Sequence, residues 1–138
     1  MGSANIFGKG TKATVGKADV KFYIGGVHQP AADFDTENVS MSRFGFFAQE
    51  GDGSLSISYG DSLPEGTHTI EVVPGIDKYV HVKVGGQHFD TTGSVTVEVS
   101  EQESRQVGNF VVYFDDGLGR KVEAIGNYEA KYTFPFKK

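Results

Sequence analysis

Apolar positions in this chain alternate with polar ones, and no window sustains a helical repeat. Val95, Val97 and Val99 alternate with Thr96, Glu98 and Ser100, the period-two pattern of a half-buried strand. Val107–Phe114 is almost continuously apolar, which predicts a central strand covered on both faces. Asp115–Gly119 supplies turn residues. Ala124, Tyr128, Ala130, Tyr132 and Phe134 then define one apolar face of a closing strand. Two short stretches echo each other on the arms of this hairpin, Val-Gly-Asn-Phe at 107–110 and Ile-Gly-Asn-Tyr at 125–128. At such positions glycine permits a bulge or a close approach, and the ring fills the core.

The earlier chain reads the same way. Short edge strands are expected near Asn5–Phe7 and Ala13–Val15, then a firm strand at Ala18–Ile24 that Gly25-Gly26 ends. Val27–Asn38, with Pro30 and the acids Asp33, Asp35 and Glu37, is the least regular stretch and reads as a long connection, the kind of segment that often carries function. Met41–Ala48 reads as one strand, with a turn at Glu50–Gly53 leading into Ser54–Tyr59, where Leu55, Ile57 and Tyr59 alternate with three serines. In Thr67–Val73 the apolar positions surround His68, which predicts a buried or half-buried structural histidine rather than a ligand. Gly85-Gly86 is a two-residue hairpin signal between Tyr79–Val84 and Gln87–Asp90. Its register opposes Lys83 to His88, Val82 to Phe89, and His81 to Asp90, so His81, Lys83, His88 and Asp90 share one face.

About eight to ten strands in one domain predict a single antiparallel β-sandwich, with a β-barrel as the alternative. Residues 18–138 form the domain, and residues 1–17 pack on it or flank it. The expected core is Val20, Phe22, Leu55, Ile57, Ile70, Val72, Val82, Val95, Val97, Phe110, Val112, Phe114 and Tyr128. Eleven Phe, six Tyr and a Val-rich aliphatic set favour strands over helices. At 138 residues the chain buries enough surface to fold without a staple.

Charge and composition remove several classes. A net charge of −5 argues against nucleic acid as a partner, because such binders need a basic stripe. The absence of cysteine excludes thiol chemistry, Cys-ligated zinc and disulfides. No stretch is long and apolar enough to be a transmembrane helix, although peripheral membrane contact stays open. The start, MGSANIFGKG, lacks the layout of a signal peptide, and Ile6 stands where myristoylation requires Ser or Thr.

Thr92-Gly93-Ser94-Val95-Thr96-Val97, Gly108-Asn109-Phe110 and Gly126-Asn127-Tyr128 add a family resemblance. Over Tyr79–Tyr132 the chain resembles uncharacterised bacterial secreted or lipoprotein-type β-sandwich domains. In those domains a Tyr-containing strand precedes a Gly-Ser/Thr-Val-Thr-Val strand and two Gly-x-aromatic strands. The resemblance implies a sandwich in an extracellular or periplasmic setting and assigns no catalytic residue.

Candidate chemistry is concentrated in two places. His81, His88 and Asp90 could together hold zinc, although Lys83 between them repels a divalent cation, and a solvated polar sheet face explains the same residues. Asp33, Asp35 and Glu37 place carboxylates at alternate residues like the opening of a calcium loop, but no Gly stands at the sixth position and Phe44 occupies the twelfth. That excludes an EF-hand and leaves an irregular calcium site. No cofactor is called for. Asp33, Asp35, Glu37 and Arg43 are the ligand-binding candidates, while Asp52, Asp115 and Asp116 read as turn formers. No Gly-x-Ser-x-Gly elbow occurs, and no carboxylate pair stands out for glycoside hydrolysis.

Phe44, Phe46 and Phe47 beside Arg43 exceed what one buried face holds, so at least one of these rings should point outward. Such a ring suits a protein, carbohydrate or membrane contact, and the absence of Trp weighs against sugar. The leading expectation is a non-enzymatic binding module with a protein or carbohydrate ligand. Its rivals are a small secreted toxin or membrane-active protein and a polysaccharide-acting hydrolase.

Overall fold

The computed structural model describes residues 14–75 and 77–132. The strands are β1 (Thr14–Ile24), β2 (Val27–His28), β3 (Phe34–Thr36), β4 (Val39–Ser42), β5 (Gly45–Glu50) and β6 (Gly53–Tyr59). They continue as β7 (Gly66–Val72), β8 (Lys78–Val84), β9 (Gln87–Asp90), β10 (Thr92–Ser100), β11 (Arg105–Asp115) and β12 (Lys121–Tyr132). A 3₁₀ turn at Pro30–Ala32 stands between β2 and β3.

Two antiparallel sheets pack face to face. The larger has seven strands in the order β2-β1-β12-β11-β10-β7, with β3 beside β2 on the free side of β1. The smaller runs β4-β5-β6-β8-β9. Neither sheet closes on itself, so the architecture is the sandwich and not the barrel. All thirteen residues expected in the core are buried between the sheets.

Three readings need correction. Val27–Asn38 is not one long loop, because β2 and β3 both pair with β1 and raise the described strand count above ten. Met41–Ala48 is not one strand. Arg43 and Phe44 form a tight turn between β4 and β5, where Ser42 Oγ accepts from Phe44 N at 3.0 Å. Finally, β11 is central but covered on one face only, with Val111 36% exposed on the outside. Its continuous apolar run hid a plain alternation. The strand expected at Ala13–Val15 is, from Thr14, the start of β1, while the one near Asn5–Phe7 and the side chain of Phe134 lie outside the described residues.

The echo between 107–110 and 125–128 is a reciprocal contact across the β11–β12 pair. Gly108 lies opposite Tyr128, Asn109 opposite Asn127, and Phe110 opposite Gly126. A Cβ on Gly108 would stand 2.3 Å from Tyr128 Cζ, and one on Gly126 would stand 2.3 Å from Phe110 Cζ. Each ring lies across the other strand's glycine and covers backbone that glycine leaves bare.

Tyr128 then ties the sheets together. Its ring packs on Phe46 of the smaller sheet, with centroids 4.4 Å apart. Its hydroxyl lies 2.8 Å from the Tyr59 hydroxyl, which donates to Gln106 Oε1 at 2.7 Å. Gln106 Nε2 in turn donates to Ser42 O at 2.7 Å. Every polar group of this buried chain is paired, as a dry interior requires.

Two outcomes follow. Gly108→Ala and Gly126→Ala should each cost about 1–3 kcal/mol in denaturant unfolding, because an overpacked core must displace a ring; losses near zero would mean the rings move freely. Burial pushes the Tyr59 and Tyr128 phenols well above their ordinary value, and at Tyr128 the neighbouring Tyr59 hydroxyl adds to the effect. Below about pH 10 folded and unfolded chains both keep these protons, so the contribution is fully present. Above it only the unfolded chain releases them, and stability should fall by about 1.4 kcal/mol per pH unit for each phenol. Tyr59→Phe should make that alkaline slope shallower, and an unchanged slope would contradict the assignment.

Candidate functional site: an acidic cleft over the larger sheet

The Gly–aromatic exchange turns the rings inward and therefore turns Asn109 and Asn127 outward as directly opposed neighbours. They belong to a cross-strand row running Asp35, Asp19, Asn127, Asn109, Thr96 and Thr69 over β3, β1, β12, β11, β10 and β7. One register step away runs Lys17, Glu129 and Val107. Over the second row and the part of the first from Asp35 to Asn109 lies an open cleft of about 740 Å³.

The side wall comes from the segment leading out of β3. Thr36 is buried and anchors it, donating from Oγ1 to Gln49 O at 2.9 Å and accepting from Asn38 N at 2.9 Å. Asn38 O also accepts from Gln49 N at 3.1 Å. With Thr36 fixed inward, Asp35 and Glu37 on either side of it both line the cleft, and Glu50 at the end of β5 joins them.

The cleft is strongly acidic. Asp19, Asp35, Glu37, Glu50 and Glu129 face it, against Lys17 as the single cation among the described residues of its lining. Asp19 is 3.5 Å from Lys21, and Glu129 is 3.5 Å from Arg105, both exposed pairs that screen little. The carboxylates of Asp35 and Glu50 form no ion pair or hydrogen bond among the described residues. Asp19 and Asp35 are directly opposed on neighbouring strands, an arrangement that costs stability because like charges stand side by side.

The candidates from sequence are thus divided. Asp35 and Glu37 line the cleft, but Asp33 serves the fold. Its Oδ1 accepts from Phe22 N at 3.2 Å and its Oδ2 lies 2.7 Å from His28 Nε2, which clamps the β1–β2 turn. Arg43 sits on the β4–β5 turn, where it pairs with Glu101 and donates to Leu63 O. His68 is half-buried with Nε2 2.8 Å from Pro64 O, the structural role expected of it.

On the β8–β9 hairpin the register is the expected one. His81 Nε2 lies 2.9 Å from Asp90 Oδ1, while His88 stands opposite Lys83. The His81 ring stacks on Tyr79 at 4.1 Å between centroids. Among the described residues no group of three or more His, Asp or Glu side chains is placed to hold a metal ion. Asp115 and Asp116 are turn formers, with Asp116 accepting from the backbone N–H of Leu118 and Arg120; those bonds, above all the Leu118 one, hold its carboxyl below the usual range.

Sequence reasoning missed Asp19, Glu50, Asn109, Asn127 and Glu129. The Asn pair was within reach: setting Gly108 against Tyr128 places the two amides opposite each other. The carboxylates come together only through the strand order. No protein-family model, curated protein or solved structure matches this chain.

Asp35→Asn should stabilise the fold by about 0.2–1 kcal/mol at low ionic strength by relieving the opposed charges. The gain should shrink toward ~1 M salt, where the Debye length is about 3 Å. Thermal unfolding of the pair of proteins at two salt concentrations checks this, and a destabilised variant would contradict it.

Proposed function

We propose that the protein is a non-enzymatic binding module of a bacterial secreted or envelope type, and that the acidic cleft holds a Lys- or Arg-bearing segment of a partner protein. The observation that carries this reading is the Asp19–Asp35 opposition at the cleft, a pairing that weakens the free sheet and that a cationic ligand would relieve. The Asn109 and Asn127 amides beside it offer donors and acceptors to the ligand's backbone. An open, flat-floored cleft on strands gives rigid placement without a lid. The secreted or envelope setting rests on the family resemblance of the β8–β12 region.

A second reading, a hydrolase acting on a polysaccharide, is favoured by the open groove with several carboxylates. Turnover separates the two.

Calorimetric titration with hexalysine at low salt should show binding that weakens about three- to tenfold in Asp19→Asn/Asp35→Asn, the effect of losing exposed charge pairs worth a few tenths to 1 kcal/mol each. Glu71→Gln/Glu98→Gln removes the same charge from outside the cleft and should bind like the parent. Equal weakening by both double variants would show diffuse attraction and overturn the site. Polysaccharide cleavage that Asp35→Asn abolishes would replace the binding reading with the hydrolase.

A further inference from the structure

The opposite side of the molecule has a different chemistry. On the outer face of the smaller sheet, Ser40, Phe47, Ser56, His81 and Asp90 form one cross-strand row, and Ser42, Gly45, Ser58 and Tyr79 form the next. A groove of about 350 Å³ runs over this face, with Phe44, Phe47 and Tyr79 in its lining. Phe44 is 59% exposed and Phe47 40%, rings that a sheet needing only stability would turn inward. Phe47 and Tyr79 stand two strand spacings and one row apart, roughly 11–12 Å across the diagonal.

The floor between them is kept low. A Cβ on Gly45 would lie 2.1 Å from Ile57 O, so no side chain fits there. β6 is the middle strand of the sheet, where β-branched residues pack best, yet its outward positions are Ser54, Ser56 and Ser58. Ser58 Oγ is used by the fold, donating to Asp77 O at 2.6 Å. The hydroxyls of Ser40 and Ser56 have no hydrogen-bond partner among the described residues. Tyr79 is held in place by its stack on His81, which Asp90 fixes.

Among the described residues the lining carries hydroxyls and rings and no Asp, Glu, Lys, Arg or His side chain. A basic peptide has nothing to pair with here. A membrane surface would call for free cationic side chains beside the rings, whereas Arg43, next to Phe44, is paired with Glu101. A protein interface would call for an apolar centre wider than these rings. A neutral ligand with apolar ring faces and many hydroxyls matches each wall and the floor.

We infer that the outer face of the smaller sheet is a second ligand site, for a neutral oligosaccharide, whose ring faces lie against Phe44, Phe47 and Tyr79 and whose hydroxyls bond Ser40 and Ser56. Phe and Tyr supply the stacking surface that the missing Trp would otherwise give. The site is independent of the acidic cleft.

The test is titration with neutral hexasaccharides of β-1,4-glucan, β-1,3-glucan, α-1,4-glucan and β-1,4-xylan, followed by two-dimensional NMR. At least one should bind at millimolar concentration or better and shift amide signals of β5, β6 and β8. Phe47→Ala and Tyr79→Ala should each weaken it about three- to tenfold, and Ser56→Ala by a similar factor. Asp19→Asn/Asp35→Asn should leave it unchanged. Unaltered thermal midpoints show that the variants fold. No binding by any of the four sugars, or binding that survives both ring substitutions, would overturn the inference. So would co-sedimentation with phosphatidylcholine vesicles that needs Phe44 and Phe47 while no sugar binds.

Discussion

A ring can lie flat across a neighbouring strand only where that strand carries no Cβ. β11 and β12 meet this condition twice, in opposite directions, with Tyr128 over Gly108 and Phe110 over Gly126. A slip of one residue would bring each ring against a side chain and turn the slipped strand's asparagine into the core, so the exchange fixes the register of the hairpin. That register carries further than the hairpin. It sets Tyr128 against Phe46 and Tyr59 on the facing sheet, and through Gln106 it joins the buried hydrogen-bond chain that reaches Ser42. The same register presents Asn109 and Asn127 as a pair on the outer surface.

The two outer faces put this frame to opposite chemical uses. The larger sheet gathers five carboxylates and two amides over its β1–β12–β11 centre, with a wall fixed by the inward Thr36. The smaller sheet gathers rings and hydroxyls over a glycine and serine floor, with no charged side chain among the described residues of its groove. Neither arrangement helps the free molecule. Opposed Asp19 and Asp35 repel, and exposed Phe44 and Phe47 leave apolar surface in water.

Local pattern revealed most of the fold. The alternation in β6 and β10, the Gly85-Gly86 turn with its register, and the buried set of thirteen were all readable because period two and turn chemistry act within a few residues. Val107–Phe114 misled because an outward Val looks like an inward one in a one-dimensional pattern, and only an open sheet face distinguishes them. The paired segments of Val27–Asn38 were hidden because strands of two and three residues carry no period. The cleft was half visible. Asp35 and Glu37 stood out as alternating acids, but Asp19, Glu50 and Glu129 come from three other strands, and no local rule predicts that those strands converge. Asp33 belonged to the same acidic run and went to a turn, because its carboxylate faces Phe22 N and His28.

In the proposed binding mode, the inward exchange of glycine and ring builds the outward site at the Asn pair. The most direct measurement follows the side-chain amide signals of Asn109 and Asn127 by two-dimensional NMR during titration with hexalysine. These signals should shift early and saturably, together with the backbone of Asp19 and Asp35, while those of Phe47 and Ser56 stay in place. Shifts spread evenly over the acidic surface, with the two Asn amides unmoved, would contradict it.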